Sequence, residues 1–271
     1  MAFDPEAVRA FEHARWQEAA SVYETTFANA TKAFIAPLLN AAAVAPGMRV
    51  LDICCGPGFV VSAAVARGAV ARGLDFSSAM LAVATSREQA AMFDAGDAES
   101  LPYADATFDA VVANFGIHHV PRPQIALSEA HRVLRSGGRV AFSFWADPSD
   151  NIAWKLVFDA IARHGDRAAA RTPAPGGGFG TPAQCAEVLR DAGFGEHITE
   201  QVNAIWSHPD AASLVTALRT GTARMAAMLE AQHPDALRAI TADIAENAEH
   251  YRHSGYLAVP IAAVIASGVK S

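Results

Sequence analysis

Apolar positions along this chain follow two alternating rhythms. From about residue 48, short runs rich in β-branched residues predict strands over 49–53, 69–75, 91–95, 108–114 and 139–145. Between them, apolar residues recur every three to four positions and predict helices, among them 77–87 and 123–134. Strands and helices in alternation imply an α/β fold, with a parallel sheet covered by helices on both faces. Ser136-Gly137-Gly138 reads as the glycine stop between the helix ending at Arg135 and the fifth strand.

Beyond Trp145 the regularity changes. A helix over 152–164 is expected, then an irregular Gly/Pro-rich segment over 171–182, then a helix over 183–192 that stops at Gly193. Strands are expected at 197–206 and 259–267, separated by some fifty residues with helical spacing. In that insertion Leu237, Ile240, Ile244, Ala248 and Tyr251 recur at three to four residues as a buried stripe. A long insertion between two terminal strands reads as a partial lid over one end of the sheet, the plainer alternative being a helical pair that stabilises the edge.

Composition narrows the class. Hydrophobic residues make up 52% and charged residues 18%, enough apolar surface for a full core and too little charge for a disordered chain. A net charge of −7 without any Lys/Arg-rich run argues against a nucleic-acid partner. Met1 leads into a charged amphipathic segment, so no signal peptide is expected. The longest apolar run, near 257–266, contains Pro260 and falls short of the roughly 18 residues of a membrane span. The expectation is a cytoplasmic protein without membrane insertion, with a small molecule as partner and its oligomeric state, a homodimer included, left open. Cys54, Cys55 and Cys185 fit neither a disulfide framework nor metal-ligand spacing, and no metal is expected.

The candidate chemistry begins at Val50-Leu-Asp-Ile-Cys-Cys-Gly-Pro-Gly-Phe59, a strand running into a glycine turn. In a doubly wound sheet, ligands rest outside the carboxyl ends of the strands, where this turn lies. The second strand ends at Asp75, about twenty residues after the turn, the spacing at which an acid accepts ribose hydroxyls of an adenosine. A dinucleotide site also wants a third glycine, where this chain has Val61, and Pro57 removes a backbone donor. The site therefore favours an adenosine without a pyrophosphate.

Five motifs in order carry a resemblance: 50–58, Gly73–Leu81 (GLDFSSAML), Gly96–Pro102 (GDAESLP), Phe108–Val120 (FDAVVANFGIHHV) and 134–145 (LRSGGRVAFSFW). Together they resemble a class I S-adenosylmethionine (SAM)-dependent methyltransferase of the group related to ubiquinone/menaquinone-biosynthesis enzymes that act on small molecules. The resemblance is specific over about 45–147 and looser beyond. It implies a doubly wound, mostly parallel seven-stranded sheet with an antiparallel last strand, N-terminal cap helices and a helical insertion before the last strand. The whole chain, 1–271, would then be one methyltransferase domain. Its cap is expected at 1–44, its SAM-binding core at 45–147, the rest of the sheet at 148–206 and 255–271, and the lid insertion at 207–254.

By the same resemblance, SAM is the cofactor. Asp52, Gly56 and Gly58 would hold its amino-acid end, and Asp75 its ribose, with Phe76 and Met80 packed against the adenine. Asp97 and the Ala98 N–H would read the adenine edge, Asn114 and Phe115 would lie near the methionine part, and Tyr23 would close over the cofactor. The family commonly has glycine where Cys54 stands.

A sulfonium methyl is already activated, so the task is to hold a nucleophile in line with the carbon–sulfur bond. A hydroxyl or acidic carbon also needs a base, for which His118 and His119, following the fourth strand, are the candidates. Trp145 is expected to wall the acceptor pocket or the core, and Phe179 to fold over a substrate. Arg224 is expected to meet an acidic acceptor or to make a surface ion pair. Two alternatives are a SAM-binding protein without catalysis and a nicotinamide-dependent oxidoreductase, for which neither a third glycine nor a Tyr/Lys pair is found.

Overall fold

The computed structural model describes residues 3–169, 173, 179 and 181–271. Most of the Gly/Pro-rich segment expected over 171–182 lies outside the described residues.

Four short helices lead in: α1 (Pro5–Ala19), α2 (Tyr23–Thr26), α3 (Ala28–Lys32) and α4 (Ile35–Ala41). Asp4 caps α1 by accepting from the Glu6 and Ala7 amides, and Pro5 opens its first turn. Then β1 (Arg49–Ile53), α5 (Phe59–Ala66), β2 (Val70–Asp75), α6 (Ser78–Arg87), β3 (Met92–Ala95), β4 (Phe108–Asn114), α7 (Pro123–Val133) and β5 (Leu134–Trp145) alternate. The remainder is α8 (Ile152–His164), α9 (Pro182–Asp191), β6 (Phe194–His208), α10 (Ala211–Thr220), α11 (Ala223–Glu230), α12 (Pro234–Ala248), β7 (Arg252–His253) and β8 (Tyr256–Lys270).

The strands form one sheet in the order β3-β2-β1-β4-β5-β8-β6. The pairs among β1 to β5 are parallel, whereas β8 runs antiparallel to both β5 and β6. The doubly wound sheet with its antiparallel last strand is thus present, with one addition to the seven expected strands. Ser254-Gly255, both at positive φ, turn the chain back so that Arg252 pairs with Leu257 and His253 with Tyr256, which makes β7 an eighth strand.

A second difference concerns Ser136-Gly137-Gly138. It lies within β5 as an irregularity in the pairing with β4, while α7 has already ended at Val133. The terminal strands are also longer than their apolar runs. Fifteen-residue β6 and β8 pair along almost their whole length, and this pairing extends both beyond the sequence signal.

Alternation along the central strands explains the layers. Val50, Ala110, Val112 and Ala141 face one side and pack on Leu38, Leu39, Val60 and Val61 from α4 and α5. Leu51, Val111 and Phe142 face the other and pack on Leu127, Ala130 and Leu189 from α7 and α9. Both faces of the central parallel strands β1 and β4 are buried, as the middle of an α/β sheet requires. A third cluster joins α8 to the insertion: Ile240, Ile244 and Ala248 are buried with Val157 and Ile161, and Leu237 and Tyr251 pack against them. The expected stripe is therefore core shared with α8. No described helix is long and apolar enough to cross a membrane.

Candidate functional site

Parallel pairing brings the carboxyl ends of β1 to β5 to one edge of the sheet, and a cavity of about 460 Å³ opens there. That size suits a small ligand. Its wall includes Tyr23, Asp52, Gly56, Asp75, Phe76, Met80, Asp97, Ala98, Asn114, Phe115, His118 and His119.

Gly58 is the one expected site residue not on the wall. It caps the N-terminus of α5 at φ +81, and a Cβ there would meet the Ala84 Cβ at 3.0 Å. Its role is close helix packing, with a left-handed backbone that glycine tolerates.

The turn after β1 is unusual in its backbone. Cys54 and Gly56 also have positive φ, at +56° and +52°. For Cys54 this is a strained conformation, of the kind that collects at functional sites. Gly116, in the turn after β4, makes room for it: a Cβ at Gly116 would lie 2.4 Å from the Cys54 Cβ. Burial, reinforced by Asp75, pushes both the Cys54 and Cys55 thiols well above their usual value, so they stay protonated and inert.

Asp75 stitches the site together. Its Oδ2 accepts from the Gly56 N–H at 2.8 Å and its Oδ1 from the Ser77 N–H at 2.8 Å. Burial nevertheless holds its carboxyl above the usual range. Asp52 differs: it is 2% exposed, and both carboxylate oxygens are buried without a hydrogen-bond partner. Burial, with the Asp75 carboxylate as a second cause, raises it well above an ordinary aspartate. An unpaired buried carboxylate is costly, and one placed on a cavity wall suits a cation or donor brought by a ligand.

Asp97, after β3, accepts from the Arg9 Nε at 2.9 Å and from the Glu99 N–H at 2.9 Å. Arg9 reaches it from α1, so that helix is tied to this edge of the cavity. Asn114 is pinned at both ends, its Nδ2 donating to the Thr31 carbonyl and its Oδ1 accepting from the Ser143 hydroxyl. Phe115 follows at φ +55° and stacks on Trp145, with ring centroids 3.9 Å apart. Trp154, Phe158, Phe27, Met225 and Met228 extend this apolar wall. Trp145 thus serves core and cavity together. Phe179 does not reach the cavity: it is 3% exposed and stacks on Phe144 in the core, contrary to the expected fold over a substrate.

Tyr23 shares a hydrogen bond with Thr31 at 3.0 Å, and burial pushes its phenol up to about 12, so it acts as a neutral hydroxyl. His118 is kept neutral as well, because burial, then His119 and Arg224, lower it well below a free imidazole. His119 lies 2.8 Å from Glu12, Nδ1 to Oε2. A carboxylate at Nδ1 favours the tautomer whose basic nitrogen is Nε2.

Glu12 was missed by the sequence reading. It is 0% exposed on α1, and it also accepts from the Trp16 Nε1 at 3.1 Å and the Arg224 Nε at 2.6 Å. Burial alone would raise its carboxyl, but His119 and Arg224 hold it below the usual range. Arg224 therefore pairs inside the protein, not on its surface. The signal for Glu12 was its register: it shares a face of α1 with Val8, one turn earlier, and an acid in an apolar stripe calls for a partner.

Residues 51–142 match the profile of the family described as "Methyltransferase domain". The chain is 38% identical over 112 residues to a demethylmenaquinone methyltransferase of Renibacterium salmoninarum, covering 41% of this chain and 47% of that one. It is 40% identical over 131 residues to a ubiquinone/menaquinone biosynthesis C-methyltransferase UbiE of Roseobacter denitrificans, covering 44% and 52%. The chain thus spans about half the length of the curated relatives it matches. In fold, it is similar to a SAM-dependent methyltransferase from Thermotoga maritima, with a TM-score of 0.58 at 17% identity over 96% of this chain and all of that one.

Residues 51–142 are thus similar to a methyltransferase domain, and the sheet around them has the fold of a SAM-dependent methyltransferase. Over that part its curated relatives are demethylmenaquinone and ubiquinone/menaquinone-biosynthesis methyltransferases.

Proposed function

We propose that the protein moves the methyl group of SAM to a flat, largely apolar small molecule. The observation that carries this reading is Asp52, a buried carboxylate without a partner on the wall of a cavity that Asp75 and Asp97 also line. SAM, when bound, supplies a methyl carbon on a positively charged sulfur, ready for displacement. Asp52 would face its ammonium, Asp75 its ribose hydroxyls and Asp97 its adenine. Gly56 would let the backbone approach the amino-acid end, while Phe76, Met80 and Ala98 would enclose the base. Asn114, Phe115 and Tyr23 would border the methionine part.

The acceptor would lie against Phe115, Trp145, Trp154 and Phe158, whose rings exclude water and favour a planar partner. Relatives named for demethylmenaquinone and ubiquinone/menaquinone support a quinone-like acceptor here. His119, oriented by Glu12, would take the acceptor's proton at Nε2, with His118 a neutral neighbour on the wall. Bound SAM would supply the methyl carbon for the acceptor's electron pair, and the pair of the broken carbon–sulfur bond would stay on sulfur. Helix α11 would cover the acceptor side as a lid, since its N-cap Thr222 and its Arg224, Met225 and Met228 line the cavity.

Transfer of labelled methyl from SAM to a panel of quinols, phenols and amines tests the reading. Label is expected in a hydroxylated aromatic and is lost with His119→Ala. Binding of S-adenosylhomocysteine without transfer to any acceptor would mark a protein that binds the cofactor and does not catalyse.

A further inference from the structure

The network around Glu12 leaves two donors on the cavity wall unused. Arg224 gives its Nε to Glu12, but its Nη2 is buried without a partner. Thr222, two residues earlier, precedes α11 as its N-cap, makes no capping bond with its side chain, and has a buried hydroxyl without a partner. Both residues line the same cavity as His119.

A guanidinium offers donors only, and a buried donor left unpaired is costly. Its planar, weakly hydrated charge suits an anionic oxygen. The other arginine on the wall, Arg9, is already engaged by Glu6, Asp97 and Glu99. Arg224 is therefore the cation available to a ligand among the described residues of the wall. The charged and titratable groups facing it are Glu12 from α1 and His118 and His119 from the turn after β4. A positively charged ammonium acceptor would meet this guanidinium as a like charge.

We propose that Arg224 and Thr222 receive an ionised oxygen of the acceptor, so that the acceptor is an acidic hydroxy-aromatic compound taken as its oxyanion. The inference rests on the methyl-transfer reading. The acceptor's O–H bond breaks with its electron pair on oxygen and its proton on His119 Nε2. Arg224 then pairs with the oxygen while Glu12 balances the guanidinium from behind.

The test uses 4-nitrophenol, whose yellow phenolate reports its own ionisation, titrated with pH in the presence of the full chain saturated with S-adenosylhomocysteine. The bound probe is expected to ionise about one to three pH units lower than in water, as an acid does beside an arginine. Arg224→Gln abolishes the shift with S-adenosylhomocysteine affinity unchanged. Because Arg224→Gln leaves Glu12 less compensated, Glu12→Gln/Arg224→Gln repeats the measurement with both charges removed and the same loss expected. The proposal is overturned if the probe binds as neutral phenol or not at all, or if the shift survives in the variants. A parallel fall in S-adenosylhomocysteine affinity also overturns it, by assigning Arg224 to the cofactor's carboxylate. Wild-type protein that does not bind S-adenosylhomocysteine would instead sink the underlying reading.

Discussion

Glu12 Oε2 and His119 Nδ1 stand 2.8 Å apart, and this bond fastens α1 to the turn that follows the fourth strand. The same carboxylate holds Arg224 from the insertion, so one buried acid unites three parts of the chain that are distant in sequence. Glu12→Gln should destabilise the fold by about 1–3 kcal/mol at neutral pH, the cost of a buried charged bond lost. Its folded-state carboxyl is depressed, so the stability it contributes is present above the ordinary glutamate range and vanishes as pH falls through the depressed value. Urea titrations of wild type and Glu12→Gln should therefore differ at pH 7 and converge in acid. A gap that is constant at all pH values would show that the charge is not what Glu12 contributes.

Asp52 should behave in the opposite sense. Its folded-state carboxyl is raised by burial, so its contribution is favourable in acid and is lost as pH rises above the usual aspartate value. Asp52→Asn should raise the melting temperature of the ligand-free protein at pH 7 by about 2–4 °C, the shift that about 1 kcal/mol gives in a chain of this size class. The same substitution should weaken S-adenosylhomocysteine by about 1.5–3 kcal/mol, the range of a bond to a charged group. Greater stability with weaker binding is the trade expected of a functional charge. A variant that is less stable without ligand would contradict this account of Asp52.

Cys54 and Gly116 form a steric pair. Gly116→Ala should cost about 1–3 kcal/mol, because the new methyl would overlap the Cys54 side chain. Cys54→Gly removes the obstacle and the positive-φ strain together, so the double variant should recover most of the loss. A double-mutant cycle by chemical denaturation measures the coupling. Additive effects would show that the two turns do not press on each other.

The acids at the strand ends were legible because their positions follow from local order. Asp52 stands one residue before the end of its strand and Asp75 at the end of its own, both in visible apolar runs, and Asp97 follows the third at a fixed remove. The ends of β1 and β4 agree with their β-branched runs for the same reason. Glu12 and Arg224 were not legible as a pair, since 212 residues separate them and only tertiary folding joins them. The aromatic wall was hidden similarly: Phe27, Trp145 and Trp154 come from α2's end, β5 and α8, and no periodicity within one element announces their meeting. Gly58 looked like a ligand contact because it shares a turn with Gly56, yet its missing side chain serves Ala84 instead. The hairpin at Ser254-Gly255 carried a turn signal too short to predict β7.

Calorimetric titration with S-adenosylhomocysteine, run on wild type and on Asp75→Asn with NAD as a control, asks whether the strand-end carboxylates hold an adenosine. Asp75 also accepts two backbone amides, so the variant's folding is checked first by its thermal transition. S-adenosylhomocysteine is expected to bind the wild type, NAD to give no heat, and folded Asp75→Asn to bind S-adenosylhomocysteine at least about tenfold more weakly, the equivalent of 1.4 kcal/mol. Binding of NAD in place of S-adenosylhomocysteine, or equal affinity in the folded variant, would contradict the adenosine site.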